Sequence, residues 1–257
     1  MPLALFALTI SAFAIGTTEF VIVGLVPTIA QQLAVSLPSA GMLVSIYALG
    51  VAIGAPVLTA LTGRLPRKQL LVALMVLFTV GNLLAWQAPG YMTLIVARLL
   101  TGLAHGVFFS IGSTIATSLV PKEKAASAIA IMFGGLTVAL VTGVPLGTFI
   151  GQHFGWRETF LAVSLLGVIA LMSSQLLIPA NIPGRAAASI RDQVKVLTHP
   201  RLLLIYAVTA LGYGGVFTAF TFLAPMMPVL AGVSPGAVRW ILVGSGGSVA
   251  FGDLGGG

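Results

Sequence analysis

Three ionisable side chains lie inside long apolar stretches of this 257-residue chain: Glu19, Arg98 and His105. Charged groups are costly in hydrocarbon, so residues of this kind usually face the interior of a helix bundle and mark proton or substrate pathways. A carboxylate and an imidazole can each take up and release a proton. These residue types therefore predict proton handling within the lipid bilayer. A fourth, Asp253, is predicted to lie at the membrane interface.

The composition explains why these residues must be embedded. The chain is 58% hydrophobic and only 7% charged, whereas a soluble domain carries roughly a quarter charged residues. A span of about 20 apolar residues crosses the hydrocarbon core. Eight stretches qualify: 3–29, 40–62, 69–88, 91–119, 125–151, 159–179, 202–230 and 238–256.

Basic residues predict the orientation of these spans. Nine of the twelve cluster in every second gap: Arg64, Arg67, Lys68, Lys122, Lys124, Arg185, Arg191, Lys195 and Arg201. Short cytoplasmic loops retain Lys and Arg. We therefore expect a multi-pass protein of the bacterial cytoplasmic (inner) membrane with its N-terminus in the cytoplasm. The net charge of +7 is explained by topology, and no nucleic-acid partner is predicted.

Glu19 and Arg98 come out at the same depth. Each lies seven or eight residues from the outer end of its span, roughly 10–12 Å below the surface at 1.5 Å per residue. Tyr47 and Asn82 fall at similar depths, which predicts a polar layer inside the bundle. Glu19 and Arg98 could form a static ion pair, or Glu19 could titrate beside a transport cavity.

His105 shares one face of its span with Arg98, because residues at i, i+3, i+4 and i+7 align on a helix. It could bond a neighbouring helix or handle protons or substrate. Glycines at four-residue spacing predict close helix packing in spans two, four and five. No catalytic cluster, nucleophile motif or charged channel ring is visible, and the chain has no cysteine. We therefore predict neither an enzyme nor a channel.

Several stretches resemble the major facilitator superfamily, in particular its drug:proton antiporter branch of arabinose-efflux-permease-like and chloramphenicol-resistance-like exporters. Residues 16–27, GTTEFVIVGLVP, are similar to that branch's first-helix signature. Residues 63–68, GRLPRK, stand at the superfamily's loop motif, with Gly63 in place of the usual aspartate. Residues 98–106, RLLTGLAHG, resemble the helix-four motif, and residues 143–147, GVPLG, the antiporter motif of helix five.

This resemblance implies an all-α membrane fold of two six-helix bundles with a substrate site between them. The expected organisation is an N-terminal six-helix bundle over 1–180, a cytoplasmic linker over 181–201 and two helices of an incomplete C-terminal bundle over 202–257. It also implies a protein that is a monomer when full length, needs no cofactor and is driven by the proton gradient. Its partners would be a small molecule, protons and the lipid bilayer.

The predicted function is proton-coupled export of a small organic compound by alternating access, with Glu19, Arg98 and His105 coupling the protons. The residues predicted to line the substrate cavity are Thr18, Phe20, Tyr47, Asn82, Phe109 and Tyr213. The residues predicted to form the conformational gate are Arg64, Arg67, Lys68, Gly143, Pro145 and Gly147. The alternative is a truncated, non-transporting fragment that acts at most as an assembly partner. An in-frame continuation of the gene would refute that alternative, and sugars, nucleosides, amino acids and antibiotics all stay open as substrates.

Overall fold

The chain is helical throughout the part that this computed structural model describes, residues 2–62, 65–182 and 198–234 with residues 237, 240, 241 and 244. The helices are α1 (Leu3–Gln32), α2 (Leu37–Thr62), α3 (Arg67–Trp86), α4 (Tyr91–Ser118), α5 (Ala125–Val138), α6 (Val144–His153), α7 (Trp156–Leu177) and α8 (Pro200–Ala231). A 3₁₀ turn, Lys122–Lys124, precedes α5, and a π-helical turn, Ala139–Gly143, joins α5 to α6.

Seven membrane-spanning helices are present in the described residues, because α5, the π-helical turn and α6 form a single span, Lys122–His153. They correspond to the first seven stretches predicted from hydropathy. The eighth stretch, 238–256, lies almost entirely outside the described residues. So does most of the linker predicted over 181–201.

Proline and glycine separate the helices. Pro66, Gly90 and Gly155 directly precede α3, α4 and α7. Proline ends a preceding helix because it lacks a backbone donor. Gly155 has a φ of 107°, a conformation that side chains with a Cβ atom rarely adopt. The connections before α3, α4 and α7 are therefore short.

Helix α1 lies at the centre of the bundle. It packs against α2, α5, α6 and α7, and it is the most buried of the seven spans. Helices α2 and α4 form a second tight pair, and α3 packs between α4 and α7. This arrangement places Glu19 of α1 next to the polar faces of α2 and α4.

The α2–α4 pair depends on backbone contact at glycine. A Cβ atom added to Gly102 would lie 2.3 Å from the carbonyl oxygen of Tyr47, and one added to Gly106 would lie 2.4 Å from that of Val51. Such close approach brings dispersion contacts that replace the hydrophobic drive absent in lipid. The glycine spacing predicted this packing from the sequence.

Helix α6 lies parallel to α1 in a constant register. A Cβ atom on Gly143, Gly147 or Gly151 would lie 2.1–2.4 Å from a side-chain atom of α1. The facing α1 residues repeat at the same interval: Thr17, Val21 and Leu25. Side chains of α1 therefore fit into a row of glycine gaps on α6.

The π-helical turn Ala139–Gly143 ends two residues before Pro145. Proline cannot donate a backbone hydrogen bond and crowds the preceding turn. A π-helical turn is one local adjustment that accommodates such a residue within a membrane helix. The sequence predicted a bend at Pro145, and the structure places the irregularity directly before it.

Helix α8 contacts the bundle through the half that follows Val216. The ring of Phe217 stacks on Phe20 with centroids 6.0 Å apart, and Phe220 meets Phe20 edge-on at 6.4 Å. The preceding half is exposed, with Leu211 80% exposed and Val216 66% exposed. Phe20 of α1, which meets two rings of α8, is therefore a main point of contact between α8 and the bundle.

We expect Gly102→Ala to destabilise the protein by about 1–3 kcal/mol, the usual cost of overpacking. The added methyl group would meet a backbone carbonyl, which cannot move without displacing α2. Thermal unfolding in detergent measures the effect. Gly134→Ala is the control, because a Cβ atom there has no neighbour within 4 Å. Equal stability of the two variants would contradict the packing argument.

Candidate functional site

Arg98 of α4 is buried, with 1% of its surface exposed. Its Nη1 donates a hydrogen bond to the carbonyl oxygen of Thr18 at 2.7 Å, and its Nε donates to that of Leu43 at 3.3 Å. Its guanidinium also lies over the ring of Tyr47, 4.2 Å from the centroid. A cation in a low-dielectric interior needs such partners. Arg98 thereby joins α4 to α1 and α2.

The direct ion pair anticipated between Glu19 and Arg98 is not formed. Among the described residues, the basic side chain within 4 Å of the Glu19 carboxylate is His105, whose Nδ1 lies 3.7 Å from Oε2 and forms an ion pair only when the imidazole is protonated. The shared level is nevertheless correct, because Arg98 binds the carbonyl of Thr18, the residue before Glu19. The spacing of residues along the chain gives only their depth in the membrane. Which groups pair at that depth depends on the rotation of the helices, which here directs Arg98 to backbone carbonyls and the Tyr47 ring.

His105 connects two helices at this level. Its Nδ1 lies 2.9 Å from the hydroxyl of Tyr47 in α2. The side chains of His105 and Glu19 keep 13% and 18% of their surface exposed, whereas Tyr47 is 2% exposed. Both proton-binding groups are therefore partly exposed, whereas the tyrosine that contacts His105 is buried.

A row of rings extends from this cluster along α4. The centroids of Tyr47 and His105 are 5.6 Å apart, and those of His105 and Phe109 are 4.9 Å apart. Phe109 continues the row to Phe133 of α5 at 4.9 Å. Phe109, predicted for the substrate cavity, is partly exposed and borders the ionisable groups.

Two other residues predicted for the cavity lie in the core. The hydroxyl of Thr18 donates to the side-chain oxygen of Asn82 at 2.7 Å. The Asn82 amide nitrogen donates to the carbonyl of Phe78 at 2.9 Å. Thr18 and Asn82 are 0% and 1% exposed. Both side chains are therefore buried and do not face open space. Their hydrogen bond joins α1 to α3.

The remaining predicted cavity residues lie where α1 meets α8. Phe20 is 8% exposed and is covered by Phe217 and Phe220. Tyr213 is 67% exposed, and its ring stacks on Phe217 at 6.3 Å. Both residues contact Phe217 and so belong to one aromatic cluster. Phe20 is buried, whereas Tyr213 is exposed.

The predicted gate is described in part. Arg64 lies outside the described residues. Arg67 and Lys68 begin α3 and are partly exposed, and Lys68 lines a cavity of about 440 Å³ with Gln175 of α7. Their role in gating stays a prediction, as does that of Gly143 in the π-helical turn and of Pro145 and Gly147 in α6.

Sequence reasoning missed two features of the site. Tyr47 was expected to line a cavity, yet it binds both Arg98 and His105. The aromatic residues Phe217 and Phe220 were not singled out, although they cover Phe20. Their four- and seven-residue spacing from Tyr213 was the available signal. Within the described residues, no three His, Cys, Asp or Glu side chains gather as a metal site requires.

Comparison with known proteins assigns this helical arrangement. The family model described as Major Facilitator Superfamily matches residues 8–256. The chain belongs to this superfamily. It is a multi-pass membrane protein with seven membrane-spanning helices in its described part. Members of the family are transporters, which confirms the prediction that the chain is not an enzyme.

Three relatives cover almost the whole chain. The MFS-type transporter YtbD of Bacillus subtilis is 51% identical over 99% of this chain and 64% of its own length. The inner membrane transport protein YdhP of Escherichia coli K12 is 45% identical over 98% of this chain and 65% of its own. The chloramphenicol resistance protein of Streptomyces lividans is 37% identical over 95% and 62%. The chain thus spans less than two thirds of the length of these relatives.

A solved structure shares the fold. A bacterial homolog of the human lysosomal transporter Spinster, in an inward-facing, unoccupied conformation, superposes with a TM-score of 0.75. It is 20% identical in sequence, and the match covers 97% of this chain and 60% of that one. The predicted all-α fold of the superfamily, with its first six-helix bundle, is therefore confirmed.

We expect Arg98→Lys to lower the free energy of unfolding by about 1–3 kcal/mol, because an ammonium group cannot reproduce the planar fork that binds two carbonyls and stacks on a ring. Thermal unfolding in detergent provides the measurement.

Arg157→Lys is the matched control for this prediction. Arg157 also donates to a carbonyl, that of Ala88 at 2.8 Å, and lies 4.2 Å from the Trp156 ring centroid. It is partly exposed at the start of α7, so water can replace its partners and the loss should be smaller. An equal or larger loss in Arg157→Lys would contradict the importance of burial at Arg98.

Proposed function

We propose that this chain acts in secondary active transport, as a proton-coupled exporter of a small organic compound. The observation that carries the proposal is the cluster Glu19, His105, Tyr47 and Arg98, which sits within three membrane-spanning helices. Ionisable groups at such positions are functional by default, because the bilayer makes them expensive to keep. Glu19 takes up a proton and His105 shares it.

The charge balance of the cluster supports proton coupling. Arg98 contributes one positive charge and Glu19 one negative charge, so the cluster is neutral when His105 is neutral. A bound proton adds one charge to a site surrounded by apolar helices. Such a change in the low-dielectric interior has a large effect on which arrangement of helices is favoured. Protonation can thereby drive alternating access without any further cofactor.

The position of α8 supports a substrate site beside Glu19. In transporters of this fold, ligands bind near the bilayer midplane between the two halves. Phe20 follows Glu19 directly and meets Phe217 of α8, so proton carrier and inter-helix contact are adjacent. We propose Phe20, Phe109 and Tyr213 as cavity residues. Thr18, Asn82 and Tyr47 then support the cavity from the core.

The direction and location of transport are proposed from the relatives. One is named a chloramphenicol resistance protein, which favours export. Another is named an inner membrane transport protein, which favours the cytoplasmic membrane. The basic loops favour an N-terminus on the cytoplasmic side. We propose a monomer that binds its small-molecule substrate and protons.

Glu19→Gln is expected to abolish proton-coupled flux. The amide keeps the size of the side chain but cannot bind and release a proton. In liposomes carrying the protein and a pH gradient, transport of a panel of small organic compounds should fall to the level of empty liposomes, and acidification of the lumen should no longer accompany substrate addition.

Glu123→Gln is the control for this experiment. Glu123 is exposed in the 3₁₀ turn before α5, so its amide should transport like the wild type. Flux in Glu19→Gln that stays coupled to protons would overturn the proposed function.

A further inference from the structure

One nitrogen atom, Nδ1 of His105, faces two different partners. It lies 2.9 Å from the hydroxyl oxygen of Tyr47 and 3.7 Å from Oε2 of Glu19. A ring nitrogen carries either a lone pair or a hydrogen, so it can either accept or donate at a given moment. A carboxylate can only accept, whereas a tyrosine hydroxyl can donate. A tyrosine hydroxyl can also accept, so Tyr47 can bond to either state of Nδ1, whereas the Glu19 carboxylate can bond only to the state that carries a hydrogen.

The distances identify the state that the structure shows. The contact with Tyr47 is a hydrogen bond, and the contact with Glu19 is longer than one. If Nδ1 carried a hydrogen, the carboxylate would draw it to about 2.7–2.9 Å, because charge-assisted bonds are short. The geometry thus matches a lone pair on Nδ1 that accepts the hydroxyl hydrogen of Tyr47. These distances favour a neutral imidazole with its hydrogen on Nε2.

We propose that Tyr47 is a positioning residue that holds His105 neutral, and that Nδ1 exchanges Tyr47 for Glu19 when it takes up a proton. This inference rests on the proposed proton coupling and specifies its second step. The proton that Glu19 has taken up passes from its carboxyl oxygen to the lone pair of Nδ1, so that the O–H bond breaks as the N–H bond forms and Glu19 is left as a carboxylate. The Tyr47 hydroxyl hydrogen then turns away, and the new N–H donates to the Glu19 carboxylate. Release of the proton reverses both changes.

The surroundings favour this exchange. The guanidinium of Arg98 lies over the Tyr47 ring, which holds the phenol in place and opposes an unpaired charge on His105. The imidazolium therefore needs the Glu19 carboxylate. Within the described part, the titratable and charged groups that face His105 are Glu19 from α1, Tyr47 from α2 and Arg98 from α4. The apolar ring of Phe109, also on α4, lies against His105 and is followed by Phe133 of α5.

Histidine NMR in liposomes tests this exchange without a substrate. The chain has three histidines, His105, His153 and His199, so a protein with His153→Gln and His199→Gln gives one ¹⁵N-labelled imidazole signal. At high pH we expect Nε2 protonated and Nδ1 bare. On acidification, Nδ1 should gain a hydrogen in a single transition.

Two substitutions should move that transition in opposite directions. Tyr47→Phe keeps the ring under Arg98 but removes the donor that stabilises neutral His105, so the midpoint should rise by about one pH unit, the equivalent of one ordinary hydrogen bond. Glu19→Gln removes the charged acceptor of the new N–H, so the midpoint should fall by at least as much. Either variant tests the exchange if the other fails to fold.

Tyr206→Phe is the control, because Tyr206 is an exposed residue of α8 and its hydroxyl should not affect the midpoint. A hydrogen on Nδ1 at high pH, or a midpoint that stays or falls in Tyr47→Phe, would overturn the proposal. The proposed function fails separately, in the flux measurement on Glu19→Gln. If His105 exchanges partners but substrate flux does not depend on the pH gradient, the proton coupling is refuted and the exchange stands.

Discussion

The buried guanidinium of Arg98 is the constraint around which the bundle is arranged. A positive charge in hydrocarbon must be surrounded by acceptors, and here the acceptors are main-chain carbonyls of α1 and α2 and the face of the Tyr47 ring. Meeting these contacts requires three helices to converge at one level. The small residues that line α2 and α4 permit this convergence, because they let the two backbones touch.

A consequence of this arrangement is the division of labour within the polar layer. The partners that Arg98 has are main-chain carbonyls and the Tyr47 ring, which do not titrate near neutral pH, so Arg98 is a fixed charge. Glu19 and His105 keep part of their surface exposed and face each other across a gap. The fixed charge holds Tyr47, and Tyr47 holds His105. A static part and a responsive part therefore share one cluster of four side chains.

Much of this fold could be predicted from the sequence. Apolar length predicted seven helices in the described residues within a few positions of their observed ends, and counting residues from the span ends placed Glu19 and Arg98 at one level. Of the two alternatives for Glu19, the direct ion pair with Arg98 is not formed and His105 lies beside the carboxylate instead, because residue spacing gives height along a helix but not the rotation of one helix against another. The carbonyls that bind Arg98 were also hidden, since every residue carries one and no side-chain pattern marks those of Thr18 and Leu43. Thr18 and Asn82 were assigned to a cavity for the same reason: polar residues at a given level can face each other as easily as open space.

The matched rows of α1 and α6 have a mechanical consequence. Thr17, Val21 and Leu25 each pack against a glycine of the parallel helix. Sliding one helix along the other by one residue would bring these side chains into contact with the backbone. Any movement that opens the bundle must therefore carry α1 and α6 together. The contact with α8 lacks this interdigitation, because it is formed by the flat rings of Phe20, Phe217 and Phe220 with centroids 6.0 and 6.4 Å apart. Flat rings can slide past one another. The residue after Glu19 thus lies at the surface where the least resistance to motion is found.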